Sequence, residues 1–319
     1  MAIETKNDGA AVRRAAVGDG GPLAAEPLDP GWREFAPAEW LARWQVQRTA
    51  VAGGELELVE AGSGPPLVLL PPMPGWKEAY IALLPQLATR FRVVTFDLRT
   101  RFDGSPDWCA LVADAERIAA QRFGDAPIHV FGHSLGGALA LRWALDHPAR
   151  FRGLVVSSGF ARVWSPPGGR FARWIEQPLV LAAMRWLPDG ASRVVARRLA
   201  SARRWVFDAA CDEHVVALMR HGVRRMPLGL LRERLRLAFG FDVRRSLGHL
   251  DVPTLILCAE HDTEFARRSA EELLAAIRGS SRGTIAGAGH LHPLSQAGAL
   301  ADAIDLWATT LDHQRIHAS

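Results

Sequence analysis

The sequence predicts a doubly wound α/β domain with a mostly parallel sheet and an inserted helical cap. Short apolar runs alternate with stretches of helical periodicity, and such alternation predicts parallel strands joined by helices. Several of the runs are apolar throughout, which is typical of strands covered on both faces. The alternation stops once, where about a hundred residues indicate helices only. A helical stretch between two neighbouring strands predicts a cap over one end of the sheet.

These elements divide the chain of 319 residues into one large domain with an insertion. The strand-like runs stand at 55–60, 67–71, 92–97, 128–132, 153–158, 253–259 and 283–287, and the helix-period stretches between them at 77–90, 108–123, 135–147, 264–278 and 294–312. The core is therefore predicted to comprise residues 31–161 and 247–319, and the cap residues 162–246. Residues 1–30 are rich in Ala, Gly, Asp and Pro without periodicity, and predict a disordered tail.

The composition excludes several classes of protein. Apolar residues make up 49% and charged residues 23%, as in an ordinary soluble domain. The three cysteines, Cys109, Cys211 and Cys258, show neither metal-ligand spacing nor a disulfide framework, which favours a reducing, cytoplasmic location. The first residues lack the apolar region of a signal peptide, and no apolar run is long enough to span a membrane. The net charge of +4 is modest, and no nucleic-acid module is recognisable.

The strongest local signal is the hexapeptide GHSLGG at 132–137, which carries Ser134. It follows the predicted strand PIHVF and opens the predicted helix LGGALALRWALDH, the context in which G-x-S-x-G forms a nucleophile elbow. Gly132 and Gly136 permit a sharp turn that raises the serine oxygen above the sheet, at a helix N-terminus that favours developing negative charge. The alternative is a Gly-rich turn whose serine only caps the helix.

A serine nucleophile needs a base, and the base needs a carboxylate that orients it. In sites of this kind the acid and then the histidine follow the serine along the chain. The strand VPTLILCAEHD ends at Asp262, and the next strand-like run ends GAGH at His290, so both are expected at the sheet edge beside the serine. Glu260 is an alternative acid, and His261 and His292 are alternative bases. A metal at the two histidines 290 and 292 is rejected because no further ligand stands at zinc-site spacing.

The whole pattern resembles the α/β-hydrolase superfamily, particularly its capped esterase-like members, over about residues 45–312. The motifs that carry the resemblance are GHSLGG, AEHD, GAGH and the strand DVPTLI. The resemblance implies hydrolysis of a carboxylic ester or related acyl compound through an acyl-serine, without cofactor or metal. The expected partner is a small-molecule acyl or ester substrate, and the oligomeric state stays open.

The loop after the strand 67–71 departs from the family pattern. In the family this loop reads His-Gly-X and supplies the second oxyanion donor, whereas here it reads Leu70-Pro71-Pro72-Met73-Pro74-Gly75. Proline has no N–H, so the family's donor falls by position on Met73. The resemblance then implies an oxyanion hole formed by the amides of Leu135 and Met73. The double proline either presets the direction of this loop or marks a site that has drifted away from hydrolysis.

The predicted cap supplies candidate pocket residues and an excess of positive charge. Most of its large apolar side chains should pack helix on helix, and the others would line an apolar or aromatic pocket above the serine. The candidate lining residues are Trp76, Trp164, Trp174 and Trp186. Residues 190–245 hold 13 Arg against 5 Asp plus Glu. Solvated helix faces explain this excess, and attraction of an anionic substrate or an acidic surface is the alternative.

Two other functions are compatible with the same residues. An acyltransferase, a thioesterase or a C–C hydrolase would use an identical triad, because fold does not set the acceptor. A small-molecule receptor of low turnover is an alternative of another class, and the double proline is the feature that favours it.

Overall fold

The computed structural model describes residues 3–5, 44–102, 107–163, 215, 218 and 228–318. Within them, nine strands form one sheet in the order β1-β9-β8-β7-β6-β4-β5-β3-β2. The strands are β1 (Ile3–Thr5), β2 (Gln47–Val51), β3 (Gly54–Ala61), β4 (Pro66–Leu70), β5 (Arg92–Phe96), β6 (Ile128–His133), β7 (Phe151–Ser157), β8 (Thr254–Ala259) and β9 (Ser281–Ile285). The neighbours from β5 through β4, β6, β7 and β8 to β9 are parallel, while β3 is antiparallel to β5 and β2, and β1 to β9. The prediction of a mostly parallel sheet is confirmed.

Helices cover both faces of this sheet. The described α-helices are α1 (Leu83–Ala88), α2 (Trp108–Phe123), α3 (Leu135–Asp146), α4 (Leu228–Gly240), α5 (Glu264–Ala276), α6 (His292–Ser295) and α7 (Ala297–Ala318). On β4, Val68 and Leu70 pack with α2, α3 and α5, whereas Leu67 and Leu69 pack with α1 and α7. Successive side chains of a strand point to opposite faces, so a strand with two covered faces is apolar throughout. The doubly wound prediction from these runs is therefore confirmed.

The edge strands are the part of the sheet that the sequence does not predict. β2 buries only Thr49, and an edge strand with one shielded position leaves no apolar run to recognise. β1 pairs with β9 and falls inside the predicted tail 1–30. The rest of that tail lies outside the described residues, where its disorder stays a prediction.

The described part of the predicted cap packs directly on the core. Leu237 and Ala238 of α4 join the hydrophobic cluster beneath α2, and Trp108 Nε1 donates to Leu237 O at 3.0 Å. Most of residues 162–246, including Trp164, Trp174 and Trp186, lies outside the described residues, so the cap boundaries stay a prediction. None of the described helices combines the length and the apolar character needed to cross a bilayer.

Candidate active site

Ser134 occupies a strained turn between β6 and α3. Its φ of 53° and ψ of −115° are unusual for a residue with a side chain, and such conformations cost about 1–3 kcal/mol. The Ser134 N–H donates to Ser157 O at 2.9 Å, which ties the turn to the neighbouring strand. A Cβ at Gly132 would come within 2.8 Å of Gly137 Cα, and one at Gly136 within 2.8 Å of Pro71 O. The turn therefore tolerates no side chain at either glycine.

The Ser134 hydroxyl does not serve as a helix cap. Ser134 is the N-cap residue of α3, but its side chain makes no capping hydrogen bond. The residue is also partly exposed, unlike its neighbours His133 and Leu135, which are buried. This geometry removes the support for the purely structural alternative and leaves the hydroxyl available for chemistry.

Asp262 follows β8 and is buried, with three hydrogen-bond donors on its carboxylate. It accepts from His290 Nδ1 at 2.9 Å, from Ser158 Oγ at 2.5 Å and from the Thr263 amide at 2.6 Å. Burial alone would raise the pKa of Asp262. The charge and hydrogen bond of His290, with the Ser158 hydrogen bond, hold that pKa well below its usual range. Asp262 is therefore ionised at neutral pH.

The rival acid and one rival base lie elsewhere. Glu260 is exposed and accepts from the Gly287 amide at 2.7 Å, which fixes the turn after β9. His261 is exposed as well, and its backbone N–H donates to Ala288 O. Of the residues that the sequence offers as acid and base, the structure brings Asp262 and His290 together.

The two ring nitrogens of His290 differ in their partners. Its side chain is 23% exposed, and its Nδ1 is held by the Asp262 carboxylate. Burial lowers the pKa of His290, but the charge of Asp262 and the hydrogen bond to it outweigh burial and raise that pKa above its ordinary value. Because a carboxylate can only accept, Nδ1 carries a hydrogen, and Nε2 is the nitrogen left to take a proton.

The third histidine, His292, belongs to a separate buried pair. Its Nδ1 donates to Gly289 O at 2.9 Å, and its Nε2 lies 2.6 Å from Ser157 Oγ. Neither Ser157 nor His292 has any exposed surface. Ser157 and Ser158 are not predicted as site residues from the sequence, although the run GLVVSSG ends the strand beside the elbow. That position at the carboxyl edge is the signal that could have found them.

His133 packs between the two other histidines. Its ring centroid lies 5.0 Å from that of His290 and 4.8 Å from that of His292, and its Nδ1 lies 3.2 Å from Ser157 O. Burial first, and then the two neighbouring imidazoles, lower the pKa of His133 well below its usual value. His133 is therefore neutral and packs against His290 and His292.

Ser134 and His290 are not joined by a hydrogen bond in the described part of the chain. Both flank His133, one as its neighbour in sequence and one across a ring contact. Catalytic hydrogen bonds in structures without ligand are commonly long and tighten when substrate binds. Ser134, Asp262 and His290 thus share one edge of the sheet, and the direct contact among them is Asp262–His290.

The proline-rich loop lies against the elbow. Gly75 N donates to Pro72 O at 2.6 Å, which closes a turn around Met73. Within the described residues, neither the Met73 nor the Leu135 amide donates to a protein acceptor. Trp76, a candidate pocket residue, is partly buried directly after this turn. Both predicted oxyanion donors therefore have free amides.

A buried ionic cluster supports the base of the loop. Lys77 has no exposed surface, and its Nζ lies 2.9 Å from Glu57 and 3.0 Å from Asp97, whose carboxylate also accepts from the Lys77 amide at 2.9 Å. Burial raises the pKa of Asp97 to about 6, against the attraction of Lys77. Asp97 therefore holds the backbone at Lys77, directly after the proline-rich loop.

Comparisons with known proteins identify the family to which this fold belongs. Residues 65–215 match the family model described as alpha/beta hydrolase fold. The pimeloyl-[acyl-carrier protein] methyl ester esterase of Neisseria meningitidis serogroup B is 30% identical over 240 residues, which cover 69% of this chain and 83% of the esterase. A hydrolase from Pseudomonas aeruginosa superposes with a TM-score of 0.63 at 25% identity, covering 81% of this chain and 96% of that one. A thermophilic esterase from Thermogutta terrifontis superposes with a TM-score of 0.64 at 24% identity, covering 83% and 99%.

The chain belongs to the α/β-hydrolase family, as its motifs predicted, and is an α/β-fold serine hydrolase.

Proposed function

We propose that this enzyme hydrolyses small-molecule carboxylic esters, with Ser134 as nucleophile, His290 as base and Asp262 as the orienting acid. The observation that carries the proposal is the Asp262–His290 hydrogen bond at the same sheet edge as the strained Ser134 turn. His290 Nε2 would then act as the base for the uncapped hydroxyl of Ser134. Those are the two groups that acyl transfer requires.

The proposed reaction passes through an acyl-enzyme. His290 Nε2 takes the Ser134 proton while Oγ bonds to the ester carbonyl carbon, and the carbonyl electron pair moves onto oxygen. The amides of Leu135 and Met73 donate to that oxyanion, a contribution worth about 10²–10³ in rate per donor. The carbon–oxygen bond to the alcohol then breaks, and the alcohol leaves with the proton from His290. Water attacks the acyl-serine by the same sequence of steps.

Ser157 is a weaker candidate for the nucleophile, although it makes the shorter contact with a histidine. Its hydroxyl and His292 are both fully buried, so no substrate carbonyl can approach Ser157 Oγ without displacing the core. The Nδ1 of His292 is held by a backbone carbonyl, whereas the Nδ1 of His290 is held by the Asp262 carboxylate, the partner that a catalytic histidine usually has. Exposure and the Asp262 carboxylate both favour the Ser134 and His290 pair.

The substrate that we propose is an ester with an apolar or aromatic acyl group. The same substrate can also carry an anionic group. The related esterase named above acts on a methyl ester, which supports ester rather than peptide chemistry. Trp76 borders the loop, and Trp164, Trp174 and Trp186 remain pocket candidates. The Arg excess at 190–245 supports an anionic group on the substrate. The free thiols Cys109 and Cys258 support a cytoplasmic location.

A fluorophosphonate probe with a panel of p-nitrophenyl esters of graded acyl length tests the proposal. The wild-type protein should label at Ser134 and show a maximum in kcat/KM along the panel. The Ser157→Ala variant is the matched control and should still label. Absence of both labelling and hydrolysis in the wild-type protein would contradict the proposal and favour the receptor alternative. Transfer of the acyl group to an added alcohol, measured by product analysis, would indicate an acyltransferase instead.

A further inference from the structure

A buried arginine connects helix α4 to the loop that carries Met73. Arg234 lies on α4 and has no exposed surface. Its Nε donates to Pro74 O at 3.2 Å. Its Nη2 donates to Leu98 O at 3.2 Å and to Arg99 O at 2.6 Å. One guanidinium thus holds two separate loops, at the carboxyl ends of β4 and β5.

The charge of Arg234 is met by backbone carbonyls. Within the described residues it forms no ion pair, and its Nη1 has no hydrogen-bond partner. Burial lowers the pKa of Arg234 to about 10, with Glu233 opposing the shift, so the group stays cationic at neutral pH. A buried cation without a carboxylate is poor evidence of a stabilising role. The geometry that it imposes on the two loops is the more informative feature.

The two loops that Arg234 joins also touch each other. The Leu98 amide donates to Gly75 O at 2.7 Å, and Gly75 has a φ of 104°. A Cβ at Gly75 would meet the Leu98 side chain at 3.0 Å, so the loops pack without spare room. Met73 stands between Pro72 and Pro74, and the direction of its N–H follows the position of both prolines. Arg234 adds hydrogen bonds from helix α4 to both of these loops.

We propose that Arg234 is a positioning residue for the oxyanion hole, holding Pro74 so that the Met73 amide points at the substrate oxygen. This inference rests on the proposed ester hydrolysis. Arg234 contacts backbone carbonyls rather than the reacting atoms in this arrangement. Its loss should therefore weaken stabilisation of the transition state while leaving substrate binding nearly intact, which lowers kcat rather than raising KM.

The test compares Arg234→Ala with Arg244→Ala, using p-nitrophenyl acetate. Arg244 is an arginine of the same segment whose exposed side chain pairs with Asp242, so its loss should leave kcat unchanged. For Arg234→Ala we expect kcat per fluorophosphonate-titrated site to fall about 10- to 100-fold while KM stays nearly constant. This decrease should not exceed the decrease caused by removing an oxyanion donor altogether. Added guanidinium ion should restore part of the lost kcat in this variant only. Arg234→Lys keeps the charge, and its kcat should lie between those of Arg234→Ala and Arg244→Ala.

Hydrogen–deuterium exchange supplies a readout that does not depend on activity. Peptides that cover residues 72–75 and 98–99 should exchange faster in Arg234→Ala than in wild type. In Arg244→Ala the same peptides should exchange at the wild-type rate. An unchanged kcat per titrated site, or unchanged exchange in both peptides, would overturn the proposal. A wild-type protein that neither labels nor hydrolyses esters would contradict the proposed hydrolase function itself. Faster loop exchange in Arg234→Ala would in that case still support the positioning of the loop by Arg234.

Discussion

Two serine–histidine pairs lie at the same edge of the sheet and differ in exposure and in the partner of the histidine. Ser157 and His292 are fully buried, and a backbone carbonyl holds His292. Ser134 and His290 reach the surface, and an ionised carboxylate holds His290. If the proposed function is correct, a short hydrogen bond between a serine and a histidine does not by itself identify a nucleophile. Access for the substrate and stabilisation of the imidazolium are the better criteria.

The largest expected effect separates the two serines. Ser134→Ala should lose covalent labelling and at least about 10³-fold in kcat, because loss of a triad member removes most of the rate enhancement. Ser157→Ala should keep labelling and most of kcat. Active-site titration and p-nitrophenyl ester hydrolysis measure both variants. Labelling that persists in Ser134→Ala and disappears in Ser157→Ala would reverse the comparison.

The two histidines give the next comparison. His290→Ala should cost nearly as much in kcat as Ser134→Ala, since triad members act as a unit. His292→Ala removes the histidine partner of the buried Ser157 hydroxyl, and an unpaired buried group costs about 1–3 kcal/mol of stability. Denaturant unfolding should detect this loss, while kcat falls far less than in His290→Ala. If His292→Ala were the inactive variant, the assignment of the base would be wrong.

The proposed oxyanion donor is tested by changing one residue in two ways. Met73→Ala keeps the backbone N–H and should retain most activity. Met73→Pro removes the N–H and should lower kcat by about 10²–10³-fold, the usual loss for one oxyanion donor. Circular dichroism of both variants serves as the folding control. Equal kcat values in the two would show that Met73 donates nothing to the reaction.

The smallest expected effect is a shift in the pH profile. Catalysis needs neutral His290, whose pKa the charge of Asp262 raises. Hence kcat/KM should rise with pH through a pKa above about 6.5, and fall about tenfold for each pH unit below it. The Asp262 carboxylate stays ionised throughout this range because its own pKa is lowered. His292→Ala should leave the inflection in place, and an inflection that vanished in that variant would connect activity to the buried pair.

Much of the fold and the exposed pair could be predicted from local sequence. Strands covered on both faces leave apolar runs, and the elbow, Asp262 and His290 each stand directly after such a run. The buried pair could not be predicted in this way, because Ser157 and His292 lie 135 residues apart and meet only through the register of the sheet. The same holds for Arg234, whose three carbonyl partners are backbone groups that carry no sequence signal.

The three donors around Asp262 also limit how far a proton can travel in the proposed reaction. Thr263, Ser158 and His290 already satisfy the carboxylate, and its lowered pKa makes it a poor proton acceptor. The proton removed from Ser134 should therefore stop on His290, so that a single proton is transferred during acylation. Rates measured in mixtures of light and heavy water should then vary linearly with deuterium content.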